Sequence, residues 1–211
     1  IWTHDSFRVG EDGPTHEPVE HEAQIRLMEH LHNHSGKRSM LVLRPADSEE
    51  TVAAWKMAME ETRPVALILS RQNIKSLPAM NGESRRAEAM QAERGGYVVV
   101  ENKDAKVTLI ATGSEVSTLV EGAEILAAEG IATRVVSIPS EGLFRDQPKE
   151  YQAEVLGTLP RYGMTSGLSV NLRGLVGENG FIHAFDHFGY SAPFKVLDEK
   201  FGYNGKSVAE E

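Results

Sequence analysis

Residues 3–20 read THDSFRVGEDGPTHEPVE. Two histidines, two aspartates, an arginine and three glutamates share this stretch with Gly10, Gly13, Pro14 and Pro18. Histidine titrates near neutral pH, so His4 and His16 could hydrogen-bond a substrate hydroxyl or move a proton. His4, Asp12 and His16 could also be read as metal ligands. Their spacing matches no established ligand pattern, however, and two glycines and a proline intervene. A polar loop with hydrogen-bonded histidines is the plainer alternative.

Two arginines stand where apolar runs end. Leu41-Val42-Leu43 leads to Arg44, and VALIL (65–69) leads to Ser70-Arg71, just as Ile1-Trp2 leads to His4-Asp5. In open parallel sheets, ligands bind outside the carboxyl ends of the strands. A histidine and two arginines at one sheet edge suit an anionic ligand such as a sugar phosphate, because guanidinium groups donate planar, charge-assisted hydrogen bonds. Taken singly, either arginine reads better as a structural salt bridge or carbonyl contact. His30, His32 and His34 alternate in a segment that reads as a solvated loop. Gly113-Ser114 could hold an anion at a helix start, but one glycine is far short of a phosphate loop, and Ser114 reads as a plain N-cap. Met57 and Met59 face different ways on a helix, one of them core, and suggest no cofactor box.

The elements that must position these groups alternate between strand and helix. Ile1-Trp2 looks like the tail of a buried strand. Pro18 fits the first turn of a helix whose apolar side carries Val19, Ala23, Ile25, Leu27, Met28 and Leu31. Met40–Leu43 and VALIL read as buried strands, separated by a helix that Asp47 and Glu50 open as a capping box. The polar stretch from there to about residue 96 reads as a linker. VTLIA (107–111), EVSTLVEGAEILAAEG (115–130) and TRVVSIP (133–139) form a βαβ unit with a right-handed crossover. A helix at 150–157, apolar pieces at 162–165 and 181–185, and a helix at 192–201 complete a second α/β domain.

Composition narrows the partners. The 211 residues are 40% hydrophobic and 25% charged, with a net charge of −9. No Lys/Arg run exceeds two residues, so nucleic acid is a poor partner. No apolar run approaches the roughly 20 residues of a membrane span. The absence of cysteine excludes disulfides and thiol catalysis and is compatible with a cytoplasmic setting. Ile rather than Met stands at position 1, and the chain reads as a piece of something longer.

THDS followed by GEDGPTH-x-PVE resembles the transketolase family. LRPAD (43–47), ALILSRQN (66–73), RGGYV (94–98), LIATGSEV (109–116), VVSIPS (135–140) and FDHFGYSAP (185–193) resemble it in the same order, end to end. The resemblance implies two three-layer α/β domains with mostly parallel sheets. Residues 1–93 would be the latter part of a pyrimidine-binding domain, incomplete, with the start of a linker. Residues 94–211 would be the C-terminal domain. It further implies thiamine diphosphate and Mg²⁺ or another divalent cation in the complete enzyme, a cytoplasmic homodimer, and transfer of a two-carbon ketol unit between sugar phosphates in the pentose phosphate pathway.

By motif match, His4 would contact the sugar's phosphate or distal hydroxyls, Asp12 a substrate hydroxyl, and Arg71 the phosphate. His16 would lie near the reacting carbons as the catalytic residue and assist proton movement. Arg44 carries over no such role and stays structural. The family's diphosphate and metal motif, GDG followed by an asparagine, is missing, and GEDGP is no substitute. The glutamate and aromatic residues that serve the aminopyrimidine are missing too, and 30–37 has the look of an insertion. The chain alone is therefore expected to bind no cofactor tightly and to turn nothing over. Rival readings are deoxyxylulose-phosphate synthase, the thiamine component of a 2-oxo-acid dehydrogenase, and a non-catalytic interaction module of the family.

Overall fold

The computed structural model describes residues 1–80 and 84–211. Two apolar triplets form the first sheet. β1 (Leu41–Leu43) and β2 (Val65–Leu67) pair in parallel, with Leu41 opposite Val65 and Leu43 opposite Leu67. Trp2 adds a parallel bridge to Ile68; its N–H donates to the Leu67 carbonyl at 2.8 Å and its carbonyl accepts from Leu69 at 2.7 Å. Ile1-Trp2 therefore runs beside β2, but it is not buried as expected. One bridge on one flank leaves Ile1 67% and Trp2 43% exposed.

Side chains alternate across a strand, so each face of this sheet meets a different helix. Leu41, Leu43 and Leu67 pack with Ala54 and Met57 of α2 (Ser48–Glu60). Val42, Ala66 and Ile68 pack with Ile25 of α1 (His21–His30). Asp47 caps α2, its Oδ1 accepting from Glu50 N–H at 2.8 Å. The reciprocal half of the box is displaced by one residue, since Glu50 Oε2 accepts from Ala46 N–H. Met57 is core and Met59 exposed, as their spacing implies.

α1 departs from expectation. It starts at His21, three residues past Pro18, and buries Glu22, Arg26 and Glu29 beside Ile25. Leu27, Met28 and Leu31 are exposed instead. Ion pairing is the reason. Arg26 Nε donates to Glu22 Oε1 at 2.9 Å, Glu29 Oε1 accepts from Val42 N–H at 3.2 Å, and Arg44 Nη1 stands 3.7 Å from Glu22 Oε2. Buried charge is tolerated only with such partners.

The supposed linker is partly helical. α3 (Arg85–Ala89) and a 3-10 turn (Met90–Arg94) lie within it, and Arg85 Nε donates to Asp47 Oδ2 at 2.8 Å. Residues 81–83 of that segment lie outside the described residues.

The second sheet has the order β3-β5-β4-β6-β7. β4 (Val107–Ala111), α4 (Glu115–Ala128) and β5 (Thr133–Ser137) form the expected βαβ unit. β6 (Arg161–Met164) and β7 (Phe181–His183) extend it in parallel. β3 (Tyr97–Val100) joins β5 antiparallel and is a strand the sequence reading passed over. On one face Leu109, Ala111 and Met164 pack with Val116 and Leu119 of α4, Leu197 of α8 (Phe194–Phe201) and Val208 of α9 (Gly205–Glu210). On the other, Ile110 and Val136 meet Phe144 of α5 (Glu141–Arg145), Val155 of α6 (Lys149–Leu156) and Leu172 of α7 (Val170–Val176).

Both sheets are thus sandwiched between helices, the first with far fewer strands. Phe7, Ala46, Ala53 and Leu77 join the same apolar cluster as the α4 face, so one core runs through both units. Among the described residues no helix is long and apolar enough to cross a membrane.

Candidate functional site

The Trp2 bridge, β1 and β2 run parallel, so their carboxyl ends open onto one edge. Asp5 ties that edge together. Its Oδ2 accepts from Arg44 Nη2 at 2.8 Å and from Ser70 Oγ at 2.9 Å. His4 immediately precedes Asp5 and Arg71 immediately follows Ser70, so the tie brackets both candidate residues. His4 is half-buried, with Nδ1 2.9 Å from Thr3 Oγ1. Where that hydroxyl donates, the ring keeps its proton on Nε2 and presents a donor. Arg71 is exposed, and among the described residues its guanidinium makes no ion pair.

Asp12 and His16 sit on two successive turns. Gly13 N–H donates to the Gly10 carbonyl at 3.0 Å, and His16 N–H donates to the Gly13 carbonyl at 2.9 Å. Gly10 (φ 86°) and Gly13 (φ 76°) take left-handed conformations that side chains disfavour. A β-carbon on Gly13 would also stand 3.1 Å from Ser191 Cβ. Ser191 Oγ donates to the Glu11 carbonyl, which seats the loop on the segment that leads into α8. Asp12 and His16 are both exposed, and His16 Nδ1 lies 2.9 Å from Thr15 Oγ1.

Two buried anchors hold the loop between these histidines. Phe7 packs against Phe185, Phe201 and Tyr203, with ring centroids 4.9, 5.2 and 4.8 Å away. Arg8 Nε donates to Asp198 Oδ1 at 2.6 Å, and its Nη groups reach Ser114, Glu115, Thr118 and the Tyr203 carbonyl. Ser114 therefore occupies the N-cap position of α4 without capping it. Its hydroxyl instead accepts from Arg8 and donates to Glu115 Oε1 at 3.1 Å.

Arg44 is structural, as its residue-level reading allowed. It is fully buried, and its Nη1 donates to Glu115 Oε2 at 2.6 Å and to the Thr112 carbonyl at 2.9 Å. Burial alone would lower its pKa, but Glu115, Glu22 and Asp5 push it well above the ordinary value. Glu17, next to His16, is the opposite case. Neither carboxyl oxygen has a hydrogen-bond partner among the described residues, and burial pushes its pKa up to about 7.

No hydrogen bond joins His4, Asp12, His16 or Arg71 to another of the four. A cleft of about 610 Å³ lies elsewhere, between residues 72–75 and helices α4 and α8, and none of the four lines it. Sequence reasoning missed Asp5, Arg8 and Ser70 as positioning groups, although Asp5 and Ser70 stand inside the quoted motifs. His30 ends α1, and His32 and His34 lie in the expected polar turn, where Asn33 Oδ1 accepts from Ser35 and Lys37 N–H. Among the described residues no three histidine, aspartate or glutamate side chains converge as metal ligands. Asp12 stands alone on its turn while Asp5, Asp47 and Glu50 are consumed by arginines and hydroxyls. These residues do not fit the diphosphate and metal part of a thiamine cofactor.

Residues 1–76 match the family model for the transketolase pyrimidine-binding domain, and residues 95–204 match that for the transketolase-like C-terminal domain. A transketolase of Geobacillus stearothermophilus is 42% identical over 213 residues, covering 99% of this chain but 30% of its own length. The structure of a Pichia stipitis transketolase in complex with sedoheptulose-7-phosphate superposes with a TM-score of 0.81 at 35% identity, over 99% of this chain and 28% of that one. A split-gene transketolase, described as an inactive β4 tetramer, gives 0.67 at 27% identity, over 94% of this chain and 62% of that one. The chain thus spans about 30% of the length of the curated relatives it matches.

Proposed function

The chain belongs to the transketolase family, and from that premise we propose that it supplies the sugar-phosphate wall of a ketol-transferring enzyme. One observation carries the reading: Asp5 holds Arg44 and Ser70 together, which brings the segments bearing His4 and Arg71 to one sheet edge. On this reading residues 1–93 are the latter part of the pyrimidine-binding domain and 94–211 the C-terminal domain. Arg71 grips the substrate phosphate, and His4 donates to that phosphate or to distal hydroxyls. Asp12 accepts from a substrate hydroxyl and favours one stereochemistry, while His16 moves a proton near the reacting carbons.

Thiamine diphosphate with a divalent cation supplies the carbanion chemistry in such enzymes, and its diphosphate would be held by parts of the complete protein other than this chain. The complete enzyme would act in the pentose phosphate pathway as a cytoplasmic homodimer. The likeness to a split-gene transketolase described as inactive supports a chain that turns nothing over by itself. The paired histidines and SRQN favour ketose-phosphate chemistry over that of 2-oxo-acid enzymes. Assaying the complete enzyme that contains this segment against a ketose phosphate and against pyruvate tests the choice. Ketol transfer to an aldose phosphate is expected. Preferential consumption of pyruvate would replace this reading with a deoxyxylulose-phosphate synthase or 2-oxo-acid dehydrogenase component.

A further inference from the structure

In a doubly wound domain, ligands bind at the strand edge where the order reverses. Here that point lies between β4 and β6, because the chain passes from β4 through α4 to β5 on one side while β6 lies on the other. The crevice between the turns after β4 and β6 is not open. Arg44 of the first unit fills it: Nη1 donates to the Thr112 carbonyl at 2.9 Å and to Glu115 Oε2 at 2.6 Å, and Nη2 donates to Ser166 Oγ at 3.1 Å. The guanidinium lies so close to the β4–α4 turn that a β-carbon on Gly113 would stand 2.7 Å from Cζ. The backbone follows the side chain. Arg44 N–H donates to the Pro139 carbonyl at 2.8 Å, and its carbonyl accepts from Gly113 N–H at 3.1 Å.

The same Nη2 that reaches Ser166 also holds Asp5, and Asp5 holds Ser70. A continuous hydrogen-bonded path therefore runs from the C-terminal domain's switch point to the residues flanking His4 and Arg71. We propose that Arg44 is a positioning residue that makes this crevice a socket and sets the spacing of His4 and Arg71 for the substrate phosphate. On this account the C-terminal domain serves the reaction without touching substrate. Lysine cannot substitute, because one ammonium cannot serve Glu115, Thr112, Ser166 and Asp5 with a planar fork.

The inference rests on the proposed phosphate grip, so its test must separate the two. In the complete enzyme, KM and kcat are measured for a ketose phosphate and for the same ketose without phosphate. Arg44→Lys and the milder Ser70→Ala should raise KM for the phosphorylated sugar about tenfold, the scale of one displaced charge-assisted contact. The KM for the unphosphorylated sugar and both kcat values should stay within about twofold of the unsubstituted enzyme on the same scale. Arg71→Leu is the reference and should abolish the preference for phosphate. If the preference falls in Arg71→Leu alone, the grip stands and the positioning role is wrong. If it falls in none of the three, both are wrong. A drop in melting temperature with an unchanged preference also counts against positioning.

Discussion

The carboxyl group of Glu17 lies against the α-carbon of Gly189, with no room between them for a β-carbon. One residue belongs to the turn that carries His16, the other to the 185–193 loop of the C-terminal domain. Gly189→Ala must displace the Glu17 carboxyl or the loop. Overpacking of this kind costs about 1–3 kcal/mol, and urea unfolding should show a lowered midpoint with an unchanged slope. An unchanged midpoint would mean that the two segments do not pack this way.

Glu17 should also make stability depend on pH. Burial raises it from its ordinary 4.5 to about 7, so the folded chain holds this proton more tightly than the unfolded chain. Its contribution is full below about pH 4.5 and is lost as pH rises through about 7. Glu17→Gln cannot ionise. It should match the unsubstituted chain at about pH 4 and exceed it at about pH 8 by roughly 3 kcal/mol at most. Thermal melts at the two pH values check this, and a constant difference between them would rule it out.

Arg8 gives a sharper stability test. Its guanidinium serves Asp198 and Glu115, and Glu115 is fully buried. Arg8→Met leaves those carboxylates without this partner, a loss worth about 3–5 kcal/mol for a buried pair. Asp198→Asn, made together with Arg8→Met, should recover part of the loss, since among the described residues Arg8 is the cation paired with that carboxylate, whereas Glu115 keeps Arg44. Additive losses in a double-mutant cycle would show that the two do not interact.

Phe7→Ala removes the centre of an aromatic cluster otherwise drawn from the C-terminal domain. The cavity should cost about 3–5 kcal/mol. Both tryptophans, Trp2 and Trp55, lie in the first unit, so their fluorescence follows that unit while circular dichroism follows the whole chain. The shared core predicts coincident transitions for the unsubstituted chain and separated ones for Phe7→Ala. Separate transitions in the unsubstituted chain would contradict a shared core.

Long, regular patterns were legible from the residues alone. The βαβ unit at 107–139, the β1 and β2 pair and the Asp47 cap all reflect local rules of periodicity and capping. α1 was legible as a helix but its buried face was not, because Glu22, Arg26 and Glu29 answer to partners such as Glu141, Val42 and Arg44 that lie outside it. Helices α3, α5, α7 and α9 are five to seven residues long, too short for a 3.6-residue period to declare itself. β3 buries Tyr97 and Val99 and leaves Val98 and Val100 partly buried, an alternation that its unbroken apolar run does not display in the sequence. At the site, residue types identified His4, Asp12, His16 and Arg71 as candidates, and the family resemblance assigned their roles. Asp5 and Ser70, which hold two of them in place, became visible only through contacts 39 and 65 residues apart.

The most direct test of the account is to assay the purified 211-residue chain for ketol transfer with saturating thiamine diphosphate and Mg²⁺, first alone and then mixed with the separately produced remainder of the enzyme. A chain that supplies only the sugar-phosphate wall should show no transfer by itself and should gain it in the mixture. Cofactor-dependent transfer by the chain alone would contradict the account.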